Sequence, residues 1–329
     1  MTFARITASI VASLLGMAGS VAMAQTAGTP AGSSQPANAN NSPVANGQAS
    51  DPAIAAPFPP LDANQQQRLD QLLSAWEQQT NSTQQLRCDF RRWQYRPGAA
   101  PTNVHYSYGS GEIRYAAPDG GLFHVTELLF YSGQDAKGQP EYKPVPTQPG
   151  EHWVCTKNAI YEFDHANKQC VKRELPEGQQ ALSLADASLP FLFKLNREEL
   201  LRRFWVREVT PPGNANQFFI EAWPKEREMA ANFRLVQVVL DREQFLPIAL
   251  VVLNPNFDPV TNNSKDVYEL RDIKRNQNLN GWLKEKLLGR PFIPTDAPRD
   301  YKVVTVPVEG GPPSSMKLAN PDPQSAPRR

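Results

Sequence analysis

The chain has 329 residues, and its charges nearly cancel, with 34 Lys and Arg residues against 33 Asp and Glu residues. No dense basic run accompanies this balance, so the composition argues against a nucleic-acid-binding protein. After the N-terminus no stretch approaches 18 consecutive apolar residues, so we expect no membrane-spanning helix in the mature chain.

The first 24 residues have the pattern of a cleavable export signal. Arg5 precedes an apolar, small-residue run over 6–21, and Ala22-Met23-Ala24 is a typical cleavage site. No cysteine stands at the cleavage position, so a lipid anchor is not expected. Residues 25–59 and 307–329 are poor in apolar side chains and predict a disordered linker and tail. We therefore predict a periplasmic or secreted protein with one folded domain over 60–306.

The predicted domain opens with an amphipathic helix. Asp62 is a candidate N-cap, and apolar residues then recur at the spacing of one helix face: Leu69, Leu72, Leu73 and Trp76. Such a stripe must be buried, and we expect it to lie against a sheet.

A series of short strands follows. Leu86, Cys88 and Phe90 alternate with charged residues, and a change of phase to Trp93 and Tyr95 suggests a bulge. The segment 109–111 (GSG) predicts a turn between two strands, and 122–130 predicts another strand. The stretch 132–150 is rich in proline and glycine and reads as a long loop.

Next comes a predicted double hairpin with strands near 152–156, 159–165 and 168–175. A two-residue second turn places Cys170 opposite Phe163, while Cys155 faces Asn158 or Ile160 depending on register. Alternation then puts Cys155 and Cys170 on opposite faces of the sheet, which argues against a disulfide between them. The pairing of the three cysteines, which include Cys88, stays open.

The segment 189–206 (LPFLFKLNREELLRRFWV) predicts a short helix in the middle of a β protein. Asn196 is a candidate N-cap, with Glu199 three residues later as in a capping box. The apolar side chains favour either core packing or a lid over an apolar space. Strands are predicted again near 205–210, 217–223, 233–240, 247–253 and 266–274, and a short helix near 282–288.

The ten or eleven strands are consecutive and mostly joined by short loops, which indicates one strongly curved antiparallel sheet in a mainly β (α+β) fold. Amphipathic helices are available to cover its concave side. Many strands carry adjacent apolar residues, so both faces should be at least partly covered. This pattern fits a packed core or an apolar cavity under the helices.

Catalytic and metal motifs are missing from the sequence. His105, His124, His152 and His165 are scattered, without metal-ligand spacing, and we interpret each as a surface or cross-strand residue. The GSG segment lies in a predicted hairpin and is not a nucleophile elbow. We therefore expect a protein that is not an enzyme and that carries no cofactor and no metal site.

Several segments together resemble the periplasmic lipoprotein-carrier (LolA/LolB-like) superfamily, and within it a secreted branch known mainly from planctomycete bacteria. They are LRCDF, YGSGEIRYAAPDGGLFHV, HWVCTKNAIYEFDHANKQCVKREL, LPFLFKLNREELLRRFW and the four later strands. The resemblance covers roughly 61–306 by the order of these landmarks. It implies an unclosed β-barrel in which acyl chains bind under a helical lid.

The resemblance also implies a set of candidate ligand-binding residues in the cavity and lid: Phe90, Tyr106, Ile113, Phe123, Trp153, Phe191, Phe193, Leu200, Phe204, Phe218, Ile220, Val238 and Leu250. One position departs from the family. An arginine that holds the lid usually precedes the proline of the third strand unit, and here Ala117 precedes Pro118, with Arg114 three residues earlier.

Two functions are compatible with these features. The first is an exported binding protein that holds an acyl chain, a lipid or an acylated protein in an apolar cavity. The second is a non-catalytic cell-envelope interaction or scaffold protein with a filled core, in which the 132–150 loop or the N-terminal tract docks an envelope partner.

Overall fold

A computed structural model describes residues 54–118, 120–175, 195–276 and 291–307. The predicted signal peptide (1–24), most of the predicted linker, the tail from 308 and the predicted helix near 282–288 lie outside the described residues. Within the described ranges the helices are α1 (Ala63–Asn81), α2 (Arg197–Arg203) and α3 (Arg227–Ala230). The strands are β1 (Gln85–Tyr95), β2 (Ser107–Ala116), β3 (Gly120–Gln134), β4 (Pro140–Lys143), β5 (His152–Cys155), β6 (Ala159–Asp164), β7 (Gln169–Glu174), β8 (Phe204–Glu208), β9 (Gln217–Pro224), β10 (Leu235–Asp241), β11 (Pro247–Leu253), β12 (Lys265–Arg275) and β13 (Lys302–Pro307).

The 13 strands form one large curved sheet in the order β13-β7-β6-β5-β3-β2-β1-β12-β11-β10-β9-β8, with β4 paired to β3. Its two end strands, β13 and β8, do not pair with each other, so the barrel is unclosed. The predicted fold class is therefore confirmed: the protein is mainly β, with few helices and one curved sheet.

One edge departs from the predicted antiparallel pattern. β13 pairs with β7 in parallel, with Val303 opposite Cys170. A parallel neighbour cannot be joined by a tight turn, and more than a hundred residues separate these two strands in the chain. The sequence analysis identified strands from the short turns between them, and it therefore did not predict β13.

Two expectations about β1 and β2 are wrong. Burial in β1 alternates without a change of phase, so Arg92 and Gln94 point inward where Trp93 and Tyr95 were expected to. The predicted turn at 109–111 instead lies inside β2, at a register shift opposite β3. Gly111 is required there because a Cβ at this position would lie 1.9 Å from the carbonyl oxygen of His124.

The predicted loop over 132–150 is partly a strand. β3 continues to Gln134 and turns back into β4, with Tyr131 opposite Tyr142. Asp135 shapes this turn, since its carboxylate accepts hydrogen bonds from the backbone N–H groups of Lys137 and Gln139. The two strands form an exposed hairpin at one side of the sheet.

The main apolar core lies on one face of the sheet, which we call the inner face. α1 covers this face with the four predicted side chains Leu69, Leu72, Leu73 and Trp76, all buried. The predicted N-cap is present, because the Asp62 carboxylate accepts a hydrogen bond from the Gln65 N–H and the Gln65 side chain accepts one from the Asp62 N–H. The helix is therefore fixed at its start and packed along its apolar stripe.

A smaller cluster lies on the opposite, outer face of the β3–β5–β6–β7 region. It comprises Leu122, Val154, Phe163 and Cys170, against which Ile293, Ala297 and Tyr301 pack. Cys170 stands opposite Phe163, as predicted, and Cys155 pairs with Ile160. Cys155 belongs to the inner core, so these two cysteines do lie on opposite faces, and all three thiols are free and buried.

Candidate binding site

The hollow of the sheet gathers most of the candidate ligand-binding residues. Strands from both halves of the sheet, together with α2, contribute to one cluster on the inner face. Its members from the candidate set are Phe90, Ile113, Phe123, Trp153, Leu200, Phe204, Ile220, Val238 and Leu250. The structure therefore brings these residues into one packed apolar cluster between the sheet and the helices.

The remaining candidates behave differently. Tyr106 lies outside this cluster, because it precedes β2 and packs edge-on against Phe130 with 5.4 Å between the ring centroids. Phe218 is only partly buried at the margin of the core, where it stacks on Phe245. Phe191 and Phe193 lie outside the described residues.

A row of aromatic rings forms the floor of the hollow. Phe90 of β1 stacks on Phe123 of β3, with centroids 4.8 Å apart, and Phe123 stacks on Trp153 of β5 at 5.2 Å. β3 and β5 are neighbours, while β2 lies between β1 and β3 and places Gly111 opposite Phe90. Alternation along these strands places the three rings on the same face. Their planes lie within 20° of each other, which gives the hollow a flat, apolar base.

Several polar contacts tie α1 to the neighbouring segment that carries α2, and in one buried contact the Leu195 N–H donates to the Thr80 hydroxyl at 3.2 Å. Arg68 pairs with Glu208 at 2.6 Å, but its side chain is 60% exposed. The N–H of Arg197 donates to the Glu77 carboxylate at 2.8 Å, and the Arg197 guanidinium donates to the Ser74 hydroxyl at 3.0 Å. Exposed ion pairs contribute little stability, so α1 is held in place mainly by its apolar stripe.

α2 begins where the sequence predicts. Asn196 caps the helix by accepting a hydrogen bond from the Glu199 N–H at 2.9 Å. The helix ends after two turns, because the chain becomes extended at Phe204 and enters β8 directly. In the described part of the 189–206 segment, the side chains that enter the core are Leu195, Leu200, Phe204 and Val206.

The inner face also carries a buried polar group that sequence reasoning missed. Arg92 of β1 makes two parallel hydrogen bonds of 2.8 Å to the Glu151 carboxylate. Beside this pair, Gln94 donates to Asp266 at 3.2 Å and accepts from the Ser107 hydroxyl at 2.7 Å. The sequence did contain a signal for this group. If inward and outward side chains alternate without interruption from Leu86, positions 92 and 94 face the inner side of the sheet.

Charge pairing decides the ionisation of this polar group. Burial would favour the neutral Glu151 carboxyl, but the Arg92 guanidinium holds the pKa of that carboxyl below its usual range. The pKa of Arg92 is raised, because attraction to Glu151 outweighs the effect of burial. Burial also raises the pKa of Tyr268, which packs beside Arg92, to about 12. The inner face therefore holds a charged pair and a neutral phenol at one place in an apolar core.

Arg114 does not take the place of the lid-holding arginine that is missing at Ala117. Its guanidinium binds the Glu112 carboxylate and donates to the carbonyl oxygen of Phe292 at 3.1 Å. These partners lie on the outer face of the sheet. The side chain therefore faces away from the helices that cover the hollow.

The expectation that the histidines are scattered is wrong for three of them. His124, His152 and His165 meet on the outer face, and one ring nitrogen from each lies within 4.8 Å of the others. Only His105 stands apart, stacked on Tyr142. No local spacing reveals the cluster, because strand pairing between β3, β5 and β6 creates it.

The described surface includes the following two shallow depressions. One, of about 790 Å³, runs along the exposed, Gln-rich side of α1. The other, of about 610 Å³, lies on the outer face over β1, β2 and β12 and is lined mainly by charged and polar residues such as Arg87, Glu112 and Arg271. Neither has the apolar lining that an acyl chain requires.

Comparison with solved structures finds similar folds at low sequence identity. An uncharacterized conserved protein from Thermus thermophilus is 11% identical over 73% of this chain and 99% of that one, with a TM-score of 0.37. A LolA superfamily protein from Nitrosomonas europaea is 9% identical over 64% and 96%, with a TM-score of 0.29. The MucA/MucB complex from Pseudomonas aeruginosa gives 12% identity over 74% of this chain and 64% of that one, with a TM-score of 0.31.

A LolA superfamily protein is thus among the similar structures, as the sequence landmarks predicted. TM-scores below 0.5 are too low to transfer a function or a site. No family model matches the chain, and no curated protein matches it. Within the described ranges, no helix is both long and apolar enough to cross a lipid bilayer.

Proposed function

We propose that the protein is an exported, non-catalytic binding protein that holds an acyl chain, as a lipid or on an acylated protein, in the hollow of the sheet. The observation that carries this proposal is the convergence of nine candidate residues into one apolar cluster beneath α1 and α2. The aromatic floor and the amphipathic cover are the features that a site for a long apolar ligand requires.

Binding would proceed by exchange of one apolar occupant for another. Each buried methylene contributes about 0.8 kcal/mol, so a chain of about 15 methylenes gains about 12 kcal/mol. Displacing the four buried side chains of α1 costs about 6–12 kcal/mol, at about 1.5–3 kcal/mol each. The two quantities are similar, which gives the reversible affinity that a carrier needs.

This exchange requires the polar connections of α1 to break. Arg68 reaches Glu208 from a largely exposed position, and Arg197 contacts the helix at its surface. Moving α1 from the sheet would break the exposed Arg68–Glu208 ion pair, which contributes little, together with the hydrogen bonds that Glu77 and Thr80 accept from backbone N–H groups. The charged Arg92–Glu151 pair stays on the sheet and does not move with the helix.

The test is a titration of the purified full chain with a fluorescent fatty acid, followed by competition with unlabelled fatty acid. Leu72→Ala should bind the probe more tightly than the unchanged protein while melting at a lower temperature, because truncation weakens the occupant that the probe must displace. Gln71→Ala, on the exposed side of the same helix, should change neither quantity. No saturable probe binding, together with no lipid in organic extracts of the protein, would overturn the proposal.

A second candidate is an envelope interaction or scaffold protein with a permanently filled core. The complete burial of Trp76, Phe90 and Leu250, each at most 1% exposed, favours this alternative. The exposed β3–β4 hairpin would then supply a docking surface. In that case Leu72→Ala would lower stability without producing any probe binding.

A further inference from the structure

The outer face of the sheet carries a cluster of imidazoles that the acyl-binding proposal does not use. His124 of β3 pairs directly with His152 of β5, and their rings stack with centroids 4.0 Å apart. His165, which follows β6, lies next to them with its ring centroid 5.1 Å from that of His152. Three histidines from three strands or strand ends therefore point to the same place.

The nitrogen atoms converge. His152 Nδ1 and His165 Nε2 are 2.9 Å apart, and one nitrogen from each of the three rings lies within 4.8 Å of the others. A tetrahedral zinc ion with Zn–N bonds of about 2.0–2.1 Å needs ligand nitrogens about 3.3 Å apart. The three atoms would have to move closer together by about 1.5 Å at most to reach this separation.

The surroundings favour the form of histidine that binds metals. Burial, followed by the neighbouring His124 and His165, lowers the pKa of His152 to about 3. Burial and His165 likewise lower the pKa of His124, and Arg114 acts in the same direction, while Glu112 opposes them. For His124 and His152 the surroundings therefore favour the uncharged ring, the form in which histidine binds a metal ion.

Tyr301 orients one of the proposed ligands. Its hydroxyl oxygen lies 2.6 Å from His165 Nδ1. When Nδ1 carries the proton and donates it to Tyr301, the lone pair of Nε2 points toward His152. Metal-binding histidines commonly make such a hydrogen bond through their second nitrogen.

An apolar wall lies directly beside the cluster. Phe163 stacks on His152 at 4.4 Å and belongs to the buried cluster of the outer face. A hydrophobic neighbour limits access of water and strengthens coordination. The three rings thus have nitrogen atoms close together, a hydrogen bond from His165 to Tyr301 that orients one ring, and the apolar side chain of Phe163 on one side.

We propose that His124, His152 and His165 form a binding site for one divalent transition-metal ion of the Zn²⁺ type. Imidazole is a borderline ligand that suits Zn²⁺, Cu²⁺ and Ni²⁺ and does not suit Mg²⁺ or Ca²⁺. Three protein ligands leave a fourth tetrahedral position for water or an external group.

The experiment is calorimetric titration of the tag-free, chelator-treated full chain with ZnCl₂. One ion per chain is expected, with a Kd of about 10 μM or lower. His124→Gln, His152→Gln and His165→Gln should each weaken binding at least about tenfold, and Tyr301→Phe about 10–100-fold. His105→Gln, which removes the histidine outside the cluster, should leave the affinity and the stoichiometry unchanged.

Failure of the unchanged protein to bind one ion, or an equal loss in His105→Gln, would overturn the proposal and leave the rings as a stacked structural cluster. If the glutamine variants do not fold, electron paramagnetic resonance of the unchanged protein loaded with one equivalent of Cu²⁺ decides the question. Coordination by three nitrogens supports the site, and coordination by fewer refutes it.

Discussion

Removal of Arg92 tests the inner-face charge pair most directly. The pair has two hydrogen bonds of 2.8 Å, and the side chains of Arg92 and Glu151 are only 5% and 23% exposed. Arg92→Met leaves the Glu151 carboxylate without its cation in a largely buried place, which costs about 3–5 kcal/mol. At about 2–4 °C per kcal/mol, the melting temperature should fall by about 6–20 °C.

Two controls isolate the pair. Arg91 is the next residue of β1 but is 44% exposed and 4.0 Å from Glu269, so Arg91→Met should cost about 0–1 kcal/mol. The double variant Arg92→Met/Glu151→Leu should recover much of the loss, because an apolar pair of similar size needs no cation. Thermal unfolding followed by circular dichroism measures all three proteins.

The pH dependence gives an independent signature. The pKa of Glu151 is lowered in the folded protein, so the pair stabilises the fold above the ordinary carboxyl pKa of 4.5, and this contribution is lost as the pH falls through the lowered value. Without Arg92, burial raises the pKa of Glu151 instead. The penalty of Arg92→Met should therefore shrink between pH 7 and pH 4. A penalty no larger than that of Arg91→Met, or one independent of pH, would refute the reasoning.

Three further predictions follow from particular contacts. Gly111→Ala should destabilise the fold by about 1–3 kcal/mol in chemical denaturation, since its Cβ would overlap the backbone of His124, whereas Gly109→Ala meets only contacts of 3.5 Å or more and should be tolerated. Asp62→Ala should cost about 0.5–2 kcal/mol by removing the cap of α1, and equal stability would contradict the capping geometry. The buried thiols of Cys88, Cys155 and Cys170 should react with a thiol reagent only after denaturation. Burial raises the pKa of Cys88 and of Cys155 to about 12, which slows their reaction further. A thiol that reacts fast in the folded protein would contradict this placement.

Local periodicity in the sequence is enough to predict most of the strands and the α1 stripe, although not β4, β13 or the unbroken course of β2. The positions of Leu69, Leu72, Leu73 and Trp76 require a buried helix face, and the double hairpin has turns short enough to set its register. The pairing of Cys170 with Phe163 follows from that register. These elements are predictable because neighbours in the chain are also neighbours in space.

The remaining features depend on pairings between distant segments. The parallel contact of β13 with β7 and the meeting of His124 with His165 join parts of the chain that no periodicity connects. The burial of Arg92 was not predicted from the sequence for a different reason. A charged residue at an inward position resembles a break in the pattern, and only the presence of Glu151 on a neighbouring segment makes its burial favourable.

The two faces of the β3–β5–β6 region constrain each other. Adjacent residues serve opposite faces, with Phe123 and Trp153 in the floor of the hollow and His124 and His152 in the outer cluster. A slip of one residue would exchange the two sets and bury imidazoles under α1. Coordination across these strands would therefore stabilise the register on which the hollow depends. A ligand that binds only the folded state stabilises it by mass action, so occupation of the outer site would favour the sheet geometry required inside.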